Sequence, residues 1–180
     1  MQDYVILHDW NPSEETLRTW AYNEHVELAD QDADLVLHRE DYLPMLLGFA
    51  DDPGCPKSAE ILSTLDFYLM FLVLRGVDSH LKIVEKAVQL TGQVKTPQVI
   101  EWRELQARRL RYREGIGPVG RELALAIAQD LLNGISRAAD LAFVDDNPRT
   151  WEIQLSVAPS HRHKERLSID KASGQFRFSR

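Results

Sequence analysis

Histidine and carboxylate side chains are the residues of this chain that could hold a metal ion or act as acid and base in hydrolysis. Four of the six histidines stand far apart, with none at the spacing of a helical ligand pair: His8, His25, His38 and His80. His161 and His163 form one close pair, but the cations on either side of them oppose the binding of a positive ion. We therefore expect no metal centre and no cofactor.

The residues that could act as a nucleophile are equally uninformative. The single cysteine, Cys55, lies in a turn between Gly54 and Pro56, and we interpret it as a bystander thiol. No nucleophile elbow or Walker-type phosphate-binding loop occurs in the sequence. The glycines of residues 115–120 look similar to a dinucleotide fingerprint, but they follow a helix and not a strand. We expect a protein that is not an enzyme. The alternative is a helical hydrolase or ligand-binding enzyme whose site assembles from dispersed residues such as His25, His38, Asp41 and His80.

The distribution of charge is the most informative feature of the sequence. Residues 1–60 contain fourteen Asp and Glu but only three Lys and Arg, a net charge of −11, whereas the whole chain carries −7. A pI near 5.4 argues against nucleic acid as the main partner. For the arginines of residues 103–113 we expect ion pairs with the acidic N-terminal third. The sequence thus predicts a basic protein partner, or else a solvated acidic surface that binds nothing.

Candidate partner contacts follow from this charge. The acidic candidates are Asp30, Asp32, Asp34, Glu40, Asp41, Asp51 and Asp52, and the aromatic anchors, if exposed, are Trp10, Trp20 and Tyr22. Opposite charge speeds association, while a few central apolar or aromatic side chains supply most of the affinity.

Helical signals occupy the first three quarters of the chain. Asn11 and Pro12 can cap and start a first helix that runs from Pro12 into the twenties, with Leu17, Trp20, Ala21 and Leu28 on its buried face. The further helices are predicted at 33–49, where Pro44 kinks or restarts the helix, at 61–74, from about 79 to Gly92, from Pro97 to Glu114, and from about 121 to Phe143.

The apolar period changes to two after Asp145, which predicts three antiparallel strands around Trp151–Val157, Leu167–Ile169 and Phe176–Phe178. Gly174 can take the left-handed conformation of the last hairpin turn. The fold class is therefore α+β, a helical bundle followed by a helix and a three-stranded meander. We expect an acidic helical lobe at 1–115 and an αβββ lobe at 116–180, joined as one body.

Residues 116–180 combine one helix, a strand led by Trp151 and a hairpin from Ile169 to Phe176. This order resembles the closing helix and meander of cystatin-like and nuclear-transport-factor-like small domains, with which several bacterial toxin-immunity proteins end. The resemblance implies an immunity protein that neutralises a basic toxin enzyme, either by occluding its active site or by holding it in an inactive shape.

The compartment is predicted from what the sequence lacks. One cysteine cannot form an internal disulfide, the N-terminus has no basic segment before an apolar run, and the longest apolar stretch is far below the ~20 residues of a membrane span. We expect a cytoplasmic protein without a membrane segment.

Overall fold

The computed structural model of the chain describes residues 5–7, 11–29, 36–132, 140–156 and 166–179. The chain divides into two compact units, each built from two segments. Unit 1 comprises Met1–Tyr68 and Lys86–Glu104, and unit 2 comprises Leu69–Glu85 and Leu105–Arg180. The predicted division at residue 115 does not coincide with this one.

Six α-helices lie within the described residues. They are α1 Glu14–Ala21, α2 Leu43–Ala50, α3 Ser58–Arg75, α4 Asp78–Leu90, α5 Pro97–Glu114 and α6 Arg121–Leu132, and a 3-10 turn at Glu40–Tyr42 precedes α2. Of the helices in the described part of the chain, none is both long and apolar enough to cross a bilayer.

Two sheets are present in the described residues. Strands β1 Val5–Leu7 and β2 Val26–Leu28 form a parallel pair. The second sheet is antiparallel and contains β3 Asp140–Asp146, β4 Thr150–Ser156, β5 Arg166–Asp170 and β6 Phe176–Ser179 in chain order. The predicted α+β class, with its antiparallel meander at the C-terminal end, is confirmed.

Unit 1 is organised around the amphipathic helix α1, which connects β1 to β2. Leu17, Trp20 and Ala21 fall on one face of this helix and are fully buried. Ser13 caps the helix, because its hydroxyl accepts a 3.1 Å hydrogen bond from the Thr16 amide. Further along the unit, the indole N–H of Trp102 donates to the Leu62 carbonyl at 3.1 Å, so this buried polar group is satisfied.

Unit 2 contains the four-stranded sheet and α6. Alternate residues of the strands point to one side, where Ile153 pairs with Leu167 and both are fully buried together with Ile169. Helix α6 contributes Ile127 and Leu131 to the buried side chains of this unit, and α6 contacts β4.

Two glycines, Gly76 and Gly174, follow or join elements in a left-handed conformation, which the sequence predicted for Gly174. Gly76 follows the last residue of α3 with φ of +62°, and Gly174 takes φ of +73° in the last hairpin. Residues with a side chain rarely adopt this conformation, so glycine fits both positions.

Several predicted boundaries are wrong. Helix α1 is capped by Ser13 and not Asn11. It ends at Ala21, and Leu28 is buried in β2 and not on the helix face. Pro44 lies in the first turn of α2, so it restarts a helix. A fourth strand, β3, occupies Asp140–Asp146, where a helix to Phe143 was predicted; pairing with β4 outweighs the local pattern.

Candidate partner-binding site

The predicted partner contacts differ in their availability. Trp10, Asp30, Asp32 and Asp34 lie outside the described residues. Trp20 is fully buried, so it does not meet the condition of exposure on which its role as an anchor depended. Tyr22 is 37% exposed and does meet it.

Glu40 and Asp41 are exposed and already bind cations of unit 1. The Lys86 ammonium lies 2.8 Å from Glu40, and the Arg39 guanidinium donates two hydrogen bonds of 3.1 and 2.6 Å to Asp41. These bonds hold the pKa of Asp41 below its usual value. Exposed pairs contribute little stability, because water screens both charges.

The carboxylate of Asp51 is engaged by hydrogen bonds at the start of α5. Its carboxylate accepts hydrogen bonds from the Lys95 and Thr96 amides and from the Thr96 hydroxyl, all between 2.8 and 3.2 Å, just before α5 begins. Burial by itself raises the pKa of this carboxyl, but the hydrogen bonds from Thr96 and Lys95 more than offset it and keep the pKa low. A carboxylate that caps the start of α5 in this way is committed to the fold.

Tyr22 and Asp52 are brought together by the structure. The Tyr22 hydroxyl donates a 2.6 Å hydrogen bond to one Asp52 oxygen, and the Gly54 amide donates a 2.8 Å bond to the other. The Tyr22 ring meets Phe49 edge-on at 5.7 Å, and the Arg18 guanidinium lies 5.2 Å from the centre of the same Phe49 ring. These contacts fix the orientation of a partly exposed aromatic side chain.

An open depression of about 500 Å³ is lined by Arg18, Thr19, Tyr22 and Asp52, which we call the Tyr22 patch. The hydrogen bond to Asp52 and, to a smaller degree, burial raise the pKa of Tyr22 to about 12. The same bond, with that from Gly54, lowers the pKa of Asp52. At neutral pH the patch therefore presents a neutral phenol beside an ionised carboxylate.

Lys57 is a buried cation that sequence reasoning missed. Its side chain is 5% exposed, and its ammonium donates to the Val26 carbonyl at 2.6 Å and lies 3.1 Å from Glu27. The ammonium also stands 5.2 Å from the centre of the Trp20 ring. The sequence carries no signal for this burial, because the acceptor comes from a strand about thirty residues earlier.

Cys55 is buried and not exposed. Its thiol donates to the Ala21 carbonyl at 3.3 Å, and burial raises its pKa. A protonated, buried thiol is a poor nucleophile, which agrees with its interpretation as a bystander.

Arg108 and Arg109, two of the arginines for which pairing with the acidic N-terminal third was predicted, bind α6. Arg108 binds Asp130 of α6 at 2.8 Å, and Tyr112 donates to the same carboxylate at 2.8 Å. Arg109 is fully buried and donates to the Asp130 backbone carbonyl at 2.6 Å and to Gln106 at 3.1 Å. Because it is buried, Arg109 is not available to bind the phosphates of a nucleic acid.

Two of the four residues named for the alternative hydrolase site, His38 and Asp41, are held by neighbouring side chains of unit 1. His38 stacks on Tyr68 with ring centres 4.8 Å apart, and Asp41 is held by Arg39. Among the described residues, no group of three His, Cys, Asp or Glu could hold a metal ion.

Comparison of the chain with protein-family models, with curated proteins and with solved structures finds no match.

Proposed function

We propose that the protein is a non-enzymatic protein-binding module: a bacterial, cytoplasmic immunity protein that neutralises a basic toxin enzyme. Its binding surface lies on unit 1, with the Tyr22 patch at the centre. Asp30, Asp32 and Asp34, which lie outside the described residues, are further candidate contacts because of their charge.

The charge of unit 1 is the observation that carries the proposal. The two segments of this unit contain seventeen Asp and Glu against six Lys and Arg, a formal charge of −11. Four of those six cations bind carboxylates of the same unit: Arg18, Arg39, Lys57 and Lys86. A strong excess of acid remains, and such an excess attracts a basic protein and accelerates its association.

The Tyr22 patch adds a feature that charge alone lacks. Partly exposed tyrosines are enriched among the residues that dominate binding energies, because a rigid ring buries much area at a small entropic cost. The Asp52 carboxylate beside the ring accepts hydrogen bonds and attracts the Lys and Arg side chains of a basic partner. Tyr22 and Asp52 therefore combine an aromatic anchor with a charged acceptor.

The proposal is tested by capturing the tagged protein's partner from a lysate of its own source at low and at high salt, followed by mass spectrometry. The recovered protein is then purified and its affinity measured by calorimetry. We expect one basic protein whose expression alone arrests growth and whose toxicity is removed by co-expression with this chain. Tyr22→Ala should weaken the complex by about tenfold or more, the loss typical of a central aromatic contact.

Charge-matched variants separate a specific surface from general attraction. Asp30→Asn/Asp32→Asn/Asp34→Asn should weaken binding and reduce its salt dependence. The control Glu15→Gln/Glu101→Gln/Glu104→Gln removes the same charge from exposed positions of unit 1 and should leave the affinity within about twofold. Equal weakening by both triple variants, or no basic protein retained at low salt, would overturn the proposal.

A further inference from the structure

A second candidate site lies within unit 2, on the polar side of the antiparallel sheet. Strand register places Thr150 opposite Asp170 and Glu152 opposite Ser168, and Ser168 stands opposite Arg177 on the next strand. These residues alternate with the buried Ile153, Leu167 and Ile169, so they share the other face of the sheet. Together with Arg113 and Arg149 they line a pocket of about 810 Å³.

Glu152 is the polar centre of this pocket. One of its carboxylate oxygens accepts a 2.7 Å hydrogen bond from the Thr150 hydroxyl, and the other accepts a 2.7 Å bond from the Ser168 hydroxyl. A hydroxyl has a single proton, so both groups have used theirs and offer only lone pairs to a ligand. The centre of the pocket therefore favours a ligand that donates hydrogen bonds.

Three arginines that line the pocket add positively charged hydrogen-bond donors. Arg149 and Arg177 are exposed, and neither guanidinium forms a hydrogen bond or ion pair with any residue that the structure describes. Arg113 is held in place, because its guanidinium donates to the Phe176 carbonyl at 3.3 Å and lies 5.2 Å from the centre of the Phe176 ring.

The second carboxylate of the pocket is also occupied. Asp170 accepts hydrogen bonds from the Ala172 and Ser173 amides and from the Ser173 hydroxyl, at 2.7 to 3.0 Å, within the hairpin turn. Both carboxylates are thus hydrogen-bonded to neutral donors, while two guanidinium groups remain available for an oxyanion. Guanidinium groups bind phosphate and carboxylate through paired hydrogen bonds.

We propose that this pocket binds a small hydroxylated anion of the sugar-phosphate class. Arg149 and Arg177 donate to the phosphate oxygens, and the sugar hydroxyls donate to Glu152, Thr150 and Ser168. The volume falls within the ~300–1,000 Å³ typical of small-molecule sites. Because polar side chains predominate in the lining, the site suits a hydrophilic ligand. The inference is independent of the proposed partner of unit 1.

Calorimetric titrations with ribose 5-phosphate, inorganic phosphate and ribose test the proposal on the full chain. We expect saturable binding of ribose 5-phosphate that is tighter than that of either fragment. Arg149→Ala/Arg177→Ala should weaken it by about tenfold or more, the loss expected for charge-assisted hydrogen bonds. The control Arg75→Ala/Arg111→Ala removes the same charge from exposed arginines of unit 2 outside the pocket and should change the affinity by less than about twofold.

Ser168→Ala distinguishes the two halves of the ligand. This substitution should weaken the binding of ribose 5-phosphate and leave the binding of inorganic phosphate unchanged, since Ser168 faces the sugar in the proposed arrangement. Three results would overturn the proposal: no saturable binding of ribose 5-phosphate at millimolar concentration, equal losses in both double-arginine variants, or ribose 5-phosphate binding no tighter than inorganic phosphate. Circular dichroism of each variant establishes that it is folded.

Discussion

The hydroxyl of Tyr22 donates a 2.6 Å hydrogen bond to Asp52, thirty residues later in the chain, and so joins the end of α1 to the turn that follows α2. The bond has two consequences at once. It restrains a partly exposed aromatic ring, and it stabilises the protonated phenol and the ionised carboxylate together.

The first prediction concerns the titration of Tyr22. Its pKa should lie near 12 in the folded protein, and Asp52→Asn should return it toward the ordinary value of 10. Because the folded pKa is the higher one, the stabilisation is present below pH ~10 and is lost as the pH rises toward the folded value. Carbon NMR of ring-labelled tyrosine measures the titration.

Tyr112 is the internal control for that experiment. Its pKa is also raised to about 12, first by burial and then by its hydrogen bond to Asp130, so Asp52→Asn should leave it unchanged. A wild-type Tyr22 that titrates near 10 would contradict the structure of the patch.

The second prediction concerns Lys57. Lys57→Met keeps most of the volume but removes the donor to the Val26 carbonyl and the partner of Glu27. The free energy of unfolding should fall by about 2–4 kcal/mol, because a buried acceptor loses its hydrogen bond and a charge pair is broken. Urea denaturation measures the change.

Lys82→Met is the matched control, since Lys82 is an exposed lysine whose side chain forms no hydrogen bond or ion pair with any described residue. It should change stability by less than about 0.5 kcal/mol. Equal effects of the two substitutions would show that Lys57 is not buried as described.

The third prediction is a pH dependence that originates at Asp130. Burial raises the pKa of this carboxyl, but hydrogen bonds from Arg108 and Tyr112 outweigh burial and lower it. Because the pKa of Asp130 is lower in the folded than in the unfolded protein, its carboxylate stabilises the fold at pH values above the unfolded pKa of about 3.9. This stabilisation is lost as the pH falls through the folded pKa. Asp130→Asn should therefore destabilise at neutral pH, by about 1–3 kcal/mol, and much less in strong acid.

Denaturation curves at a series of pH values measure this difference. Glu122→Gln on the same helix is the control, because Glu122 is exposed and its side chain forms no hydrogen bond or ion pair with any described residue. If the loss of unfolding free energy in Asp130→Asn were independent of pH, the ion pair with Arg108 would not be its cause.

The fourth prediction compares two glycines. Gly76 and Gly117 have φ of +62° and +90°, so alanine at either position should cost about 1–2 kcal/mol in backbone strain. At Gly76 the new methyl would also clash with the Arg113 guanidinium, whereas Gly117 has open space around it. Gly76→Ala should cost about 1–2 kcal/mol more, because Arg113 must leave Phe176.

A double variant separates the two contributions. In an Arg113→Ala background, Gly76→Ala should cost no more than Gly117→Ala does in the wild type, as thermal denaturation would show. An undiminished cost in that background would assign the effect to the backbone alone.

Local sequence signals determined the helix starts and turns that depend on one or two residues. Pro97 opens α5, Gly76 follows α3, and Gly174 closes the last hairpin, because a fixed φ or a left-handed φ is a property of the residue itself. The alternation of apolar residues likewise predicted β4, β5 and β6.

The tertiary structure decided which charged side chains belong to the fold and which remain available for binding. Asp51, Lys57 and Arg109 are as polar in sequence as any exposed residue, but acceptors or donors from other segments bind each of them within its unit. The polar face that carries Glu152 and Arg177 also exists only once β4, β5 and β6 are in register. The sequence shows that a residue is charged. Whether that residue has a hydrogen-bond partner depends on distant segments that only folding brings within hydrogen-bonding distance.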